Sequence, residues 1–130
     1  MKKIIIDTNF LLIPIQFRVD IFSEFDRVCN FNYKLFIFDE SIGELKNIIK
    51  KQPQKHKKAA ESALKLINLK HISITKSNQE DVDSLILKNI NKDTIIATQD
   101  SLLKKELLKK GISVIILRQK KYLQLIKKGL

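Results

Sequence analysis

The sequence predicts an α/β layered fold with a central parallel sheet and right-handed crossovers. Five short, nearly all-apolar runs rich in β-branched residues read as strands buried on both faces. Stretches with helical spacing separate them, and the alternation persists along nearly the whole length. With 130 residues and 44% hydrophobic side chains, the chain suits one domain, 1–130, able to bury its own core.

The first run, 3–6, ends where "IIIDTNFLL" breaks an apolar segment with a carboxylate, a hydroxyl and an amide. A helix is expected to follow at once, and helical spacing covers 20–29. The second run, 34–38 ("KLFIF"), leads to helical stretches at 41–51 and 55–69. A short turn in "KKQPQKHKK" joins these two, with Pro53 in a first helical turn. Next come a strand at 71–74 ("HISI"), a helix at 78–90, a strand at 94–97 ("TIIA") and a helix at 101–110. Gly111 is well placed to end that helix as its C′ residue. The last strand is 113–117 ("SVIIL"), and 118–130 reads as a basic C-terminal tail. No internal repeat, linker or low-complexity block interrupts the pattern.

Lysine and arginine outnumber aspartate and glutamate 25 to 14, a formal net charge of +11. An excess this size points to an anionic partner, either nucleic acid or an anionic membrane surface. The lone Cys29 forms no internal disulfide, and no Cys/His spacing resembles a zinc site, so a reducing compartment is expected. Lys2 and Lys3 precede an apolar run too short for a signal peptide, and no stretch approaches membrane-spanning length. The expectation is a soluble cytoplasmic protein.

In an open parallel sheet, ligands bind at the carboxyl ends of the strands, near the point where the winding reverses. Asp7 follows the first strand directly, and Asp100 follows the fourth through Thr98-Gln99. Each also has a structural explanation, Asp100 as a helix N-cap and Asp7 in an Asx-turn. Glu44 lies at the edge of the apolar face formed by Ile42, Leu45 and Ile49, and Asp83 shares a helix face with Ile86, Leu87 and Ile90. Ser41 to Glu44 fits a capping box, as does Ser77 to Glu80, and Asp83 sits where a helix dipole favours an anion.

Taken together, the four acids need a common explanation. Two like charges about 4 Å apart repel by roughly 4 kcal/mol at an effective dielectric of about 20. A hard divalent cation with oxygen ligands, Mg²⁺ or Mn²⁺, resolves that conflict. A carboxylate-bound metal within a positively charged surface describes a site for phosphodiesters.

These residues resemble the PIN-domain nucleases: "IIIDTNFLL" near the start, "ELKNI" after the second strand, "DVDSLIL" in a late helix and "IIATQD" before "SLLKKEL". The resemblance covers essentially the full chain. It implies a three-layer doubly wound α/β domain with a small central parallel sheet, in which the first and fourth strands are neighbours. It also implies a ring of acids around Mg²⁺ or Mn²⁺ that hydrolyses RNA to a 5′-phosphate and a 3′-hydroxyl. On that resemblance Asp7 and Asp100 are the central ligands, Glu44 and Asp83 complete the set, and Asn9 and Thr98 support the ligands or their waters. Glu80 and Asp81 crowd the same turn as Asp83, which is preferred for its helical phase. Asp39 and Glu40 stand in reserve, and Asp93 should lie at the opposite sheet edge.

The segments "SVIILRQKKYLQLI" and "IPIQFRVDIFSE" look like the archaeal branch related to proteins that cut ribosomal RNA precursors. Toxin ribonucleases of the VapC type, which work against an antitoxin, share the same acids, and family members often pair as homodimers. Two basic runs without acids suit an RNA backbone. One holds Lys46, Lys50, Lys51, Lys55, Lys57 and Lys58; the other, in the tail 118–130, holds Arg118, Lys120, Lys121, Lys127 and Lys128. A solvated helix face is the plainer reading of either run. Neither His56 nor His71 has metal-ligand spacing. A non-cleaving RNA-binding module is the alternative of a different class. A dehalogenase-type phosphatase would need a second Asp where Asn9 stands, and a receiver domain would need an Asp after "HISITK".

Overall fold

The computed structural model describes residues 1–51, 54–77 and 81–127, except for the side chains of Gln54, Lys55 and Asp83. The apolar runs become β1 (Lys2–Ile6), β2 (Tyr33–Phe38), β3 (Ser73–Thr75), β4 (Thr94–Ala97) and β5 (Ser113–Arg118). A sixth strand, β6 (Tyr122–Ile126), completes one sheet of order β3-β2-β1-β4-β5-β6. β1 to β5 are mutually parallel, and β6 runs antiparallel to β5. The chain winds outward from β1 to β3, returns to the centre at β4 and winds the other way. The reversal therefore falls between β1 and β4, paired from Lys3↔Thr94 to Ile6↔Ala97.

Both faces of the central strands are covered, as their unbroken apolar sequences require. Ile4, Ile6, Phe10, Ile37, Ile95 and Ile115 belong to one cluster, together with Ala59, Ala60 and Ala63 of α4 (Gln54–Leu69). Ile5, Phe38, Ile96, Val114 and Ile116 form the other with α5 (Val82–Lys88) and α6 (Ser101–Lys109). The period-two alternation of side chains sends Ile4 and Ile6 one way and Ile5 the other.

After β1 the chain makes a 3-10 turn (Thr8–Leu12) and a four-residue α1 (Ile13–Gln16) rather than one regular helix. Phe10, Leu11, Leu12 and Ile13 are all buried there, so packing sets the path. α2 (Ile21–Val28) starts at the Asp20 N-cap, and α3 (Asp39–Lys51) starts two residues before the expected 41.

Of three other boundaries, the end of α6 matches the sequence expectation and the starts of β3 and α5 differ from it. Gly111 ends α6 in the left-handed region, φ 86°, with its N–H on Leu108 O and that of Ile112 on Leu107 O, a Schellman motif. His71 does the same for α4 at φ 51°, with bonds from His71 N to Asn68 O and Ile72 N to Ile67 O. β3 therefore begins at Ser73, two residues beyond the expected start, because His71 and Ile72 finish the helix. α5 begins at Val82 on an Asp81 N-cap; residues 78–80 of the expected helix, like Pro53, lie outside the described residues.

The largest correction concerns the basic tail. Residues 122–126 are a sheet strand, with Leu123 only 1% exposed in the core. Leu123 also anchors the sheet's open edge to α2: its N–H donates to Glu24 Oε1 at 2.8 Å, and its carbonyl accepts from Arg27 at 2.7 Å. That satisfies edge groups an exposed strand would leave free.

Candidate functional site

The carboxyl end of β1 delivers Asp7 to the winding reversal, and its backbone N–H donates to Ala97 O of β4 at 2.9 Å. The residue is 6% exposed. Oδ1 accepts from Thr8 N and Oδ2 from Thr98 Oγ, both at 2.8 Å. Burial pushes the Asp7 carboxyl above its ordinary value; the bonds from Thr98 and Thr8 work against this, and the charges of Glu44 and Asp100 add to it. Both acids are thus near enough for Asp7 to feel them.

Thr98, fully buried after β4, joins two of the acids. Its hydroxyl donates to Asp7 and accepts from the backbone N–H of Asp100 at 3.0 Å. Asp100 caps α6, with Leu102 N and Leu103 N both on Oδ1. The structural reading of Asp100 is correct as far as it goes, and it leaves Oδ2 out of the cap.

Glu44 is held from the other side. Thr8 Oγ donates to Glu44 Oε1 at 2.5 Å and lies 2.7 Å from Ser41 Oγ. Thr8 has one hydroxyl proton and spends it on Glu44, so Ser41 donates to Thr8. Ser41, buried in the first turn of α3, is therefore no capping box; it braces the residue that holds Glu44. Sequence reasoning missed this pair. The available signal was Ser41 four residues before Leu45, on the buried face of α3.

Asp83 lies in the first turn of α5, the crossover from β3 to β4, so chain connectivity brings that turn to the same sheet edge; its side chain lies outside the described residues. Of its competitors, Asp81 is occupied as the α5 cap, accepting from Ser84 N at 2.8 Å, and Glu80 is not described. Asp39 accepts from Ser77 N and Glu40 from Ser77 Oγ, which ties the segment after β3 to the start of α3. Asp93 pairs with Lys2 at 3.7 Å at the amino edge, far from the site as expected. Asn9 accepts from Gln99 Nε2 at its backbone carbonyl, 2.9 Å, bridging the segments that follow β1 and β4.

No ion pair among the described residues involves Asp7, Glu44 or Asp100. Nor do three His, Cys, Asp or Glu side chains among the described residues enclose a ready-made metal cage. The side-chain donors of these acids are all carboxylate oxygens, hard ligands of the kind a divalent cation takes together with waters and substrate phosphates.

The two basic runs are placed differently. Lys46, Lys50, Lys51 and Lys58 are exposed and Lys57 is half-buried along α3 and α4; the Lys55 side chain is not described. At about 1.5 Å per residue, Lys50 and Lys51 stand roughly 10 Å along α3 from Glu44. Arg118, Lys120 and Lys121 are exposed at the β5–β6 turn. Arg118 and Lys120 line a cavity of about 470 Å³ shared with Asp100, and so do Phe17, Gln99, Lys104 and Gln119. Sequence reasoning missed Lys104, although it lies one helical turn after Asp100. Lys127, at the other end of β6, lines a separate hollow at the amino edge with Lys2 and Lys92. The supposed tail is therefore not one patch.

The β5–β6 turn closes with Lys121 N on Arg118 O at 2.9 Å, and its two central residues, Gln119 and Lys120, have φ of 52° and 56°. Glycine or asparagine usually holds such positions, and another residue costs on the order of 1 kcal/mol at each.

The model of the PIN-like domain family matches residues 4–120. Ribonuclease VapC4 of Methanocaldococcus jannaschii is 30% identical over 127 residues, which is 96% of this chain and 97% of that protein. Among solved structures, the PIN domain endonuclease Utp24 superposes with a TM-score of 0.76 at 18% identity, covering 98% of this chain and 95% of that one. A domain of a functionally unknown protein from Methanocaldococcus jannaschii DSM 2661 gives 0.60 at 17% identity, covering 91% and 92%. Fold, strand order and sequence agree: the chain belongs to the PIN-like domain family.

Proposed function

We propose that this protein is a metal-dependent endoribonuclease that hydrolyses RNA phosphodiester bonds. The observation that carries the reading is the meeting of Asp7, Glu44 and Asp100 without a cationic partner among the described residues, beside a basic cavity, in a chain of net charge +11. The name of ribonuclease VapC4, similar over nearly its full length, supports RNA as the substrate.

Asp7 and Asp100 are the central metal ligands in this reading, with Glu44 and Asp83 flanking them and Asn9 and Thr98 in support. The oxygen-only donor set favours Mg²⁺ or Mn²⁺. Once bound, the cation would polarise a phosphoryl oxygen and activate water for attack on phosphorus. The chain's own residues fix the geometry. Thr98 and the Thr8 N–H hold one Asp7 oxygen each, so the carboxylate cannot turn away. Thr8, braced by Ser41, keeps Glu44 at the cleft. Lysines along α3 and α4, with Arg118, Lys120 and Lys121, hold the flanking phosphates.

Ribosomal RNA processing in the cytoplasm is one setting for such an enzyme. The near full-length similarity to ribonuclease VapC4 favours a second, a toxin-type ribonuclease restrained by an antitoxin. Inhibition of cleavage by the product of a small neighbouring gene separates the two.

The primary test is cleavage of structured RNA with Mn²⁺ or Mg²⁺, beside a chelator control. Cutting that needs the metal, leaves 5′-phosphate ends and disappears in Asp7→Asn is the expected result. RNA binding without cutting by the wild-type chain would instead mark a non-cleaving module.

A further inference from the structure

We propose that the cavity beside Asp100 is a base-reading subsite: it seats the single-stranded RNA nucleotide next to the cut phosphate, with Gln119 reading the base edge. The proposal rests on the nuclease reading above and adds a determinant of sequence preference to it.

The cavity's volume, about 470 Å³, lies within the range of about 300–1,000 Å³ typical of small-molecule sites. Its walls sort by chemistry into the parts of a nucleotide. Lys104, Arg118 and Lys120 supply positive charge for a phosphate, Gln99 and Gln119 supply amides for a base edge, and Phe17 supplies an aromatic ring. Asp100 is part of the same lining, so a nucleotide seated here lies next to one of the acids.

Two of these groups are already oriented. Gln99 donates its amide to Asn9 O, which leaves its carbonyl oxygen to accept from a ligand. Arg118 donates from Nε to Gln124 Oε1 at 2.5 Å, which leaves its two terminal nitrogens to meet a phosphate. The turn supplies an independent observation. Gln119 and Lys120 both hold left-handed backbone conformations that glycine adopts without strain, yet both carry long polar side chains into the cavity wall. Strain retained at two consecutive positions is accounted for if those side chains have a ligand to meet.

The test is cleavage of a random-sequence RNA library by the full chain with Mn²⁺, with the cut ends sequenced. The wild-type protein is expected to prefer one base at a position flanking the cut by about tenfold, the discrimination of a good amide–base pair. Gln119→Gly should fold at least as well, because glycine suits the turn, and should reduce the preference towards one. A preference that survives Gln119→Gly intact overturns the proposal. Binding of the four nucleoside 5′-monophosphates to the same proteins, measured calorimetrically without metal, separates this failure from that of the nuclease reading. Base-dependent binding that Gln119→Gly abolishes keeps the subsite even if no RNA is cut; base-independent binding by the wild-type chain removes it.

Discussion

Two regions of this molecule hold carboxylates in opposite ways. At the start of α2, every acid is matched. Asp20 accepts from Phe22 N, Ser23 N and Ser23 Oγ, and the Ser23 hydroxyl above all holds its pKa low. Glu24 accepts two bonds from Arg27, both at 2.9 Å, and one from Leu123 N, and its pKa is lowered, chiefly by the Arg27 hydrogen bond. At the carboxyl edge of β1 and β4, in the same strongly basic chain, Asp7 is buried and its pKa raised, with other acids rather than lysines for neighbours. The first arrangement stabilises the fold. The second opposes it, so its retention calls for a ligand that supplies the missing positive charge.

Replacing Asp7 separates the two most sharply. Asp7→Asn should reduce Mn²⁺-dependent cleavage by roughly 10³-fold, the several kcal/mol a metal-assisted step is worth. It should leave the urea midpoint unchanged or higher, since an uncompensated buried charge is gone. Added Mn²⁺ should raise the wild-type Tm by mass action and leave that of the variant unmoved. Loss of stability with cleavage intact would reverse the assignment.

Glu24→Gln probes the opposite region. It should cost about 1–2 kcal/mol of stability, because charge-assisted bonds to Arg27 and Leu123 are weakened, with cleavage unaffected. The sign of the pH dependence follows from the lowered pKa. Glu24 stabilises the fold fully above its unfolded value, near 4.5, and the contribution is lost as pH falls through the lower folded value. The gap in urea midpoint between wild type and variant should therefore be widest near neutrality and close in acid.

The lysines of α3 call for a gentler test. Lys46→Ala should lower the slope of log affinity against log salt for single-stranded RNA by about 0.7, one phosphate contact, with stability unchanged. An unchanged slope returns Lys46 to the solvated face of its helix.

The cleft was more legible in the sequence than the sheet's edges, for a physical reason. Asp7 and Asp100 interrupt or follow runs buried on both faces, where an acid is conspicuous even when it also caps the next element. β6 was hidden because "YLQLI" has one buried face and lysines before and after it; the alternation that puts Leu123 in the core is only a few residues long. Thr8 and Ser41 were hidden because their role depends on Glu44 arriving from another element. The cavity beside Asp100 depends on a turn whose residues, Gln119 and Lys120, are not the ones that ordinarily announce it.

The same blindness explains the missed start of β3, and it yields the smallest predicted effect. Gly111 and His71 end α6 and α4 in the same Schellman geometry, but only the glycine advertises it. In His71 the left-handed backbone is strained by its Cβ, whereas glycine relaxes it at the expense of extra freedom in the unfolded chain. The relief should outweigh that loss, so His71→Gly is expected to raise stability by about 0.5–1 kcal/mol. Because His71 precedes β3 at the amino edge of the sheet, away from Asp7, Glu44 and Asp100 at the carboxyl edge, cleavage should stay as it is. The variant then provides a scale: a gain in stability from Asp7→Asn that matches it while also abolishing cleavage would separate the cost of the cleft from backbone strain elsewhere. A loss of stability on His71→Gly would mean that the imidazole makes a contact worth more than the strain it imposes.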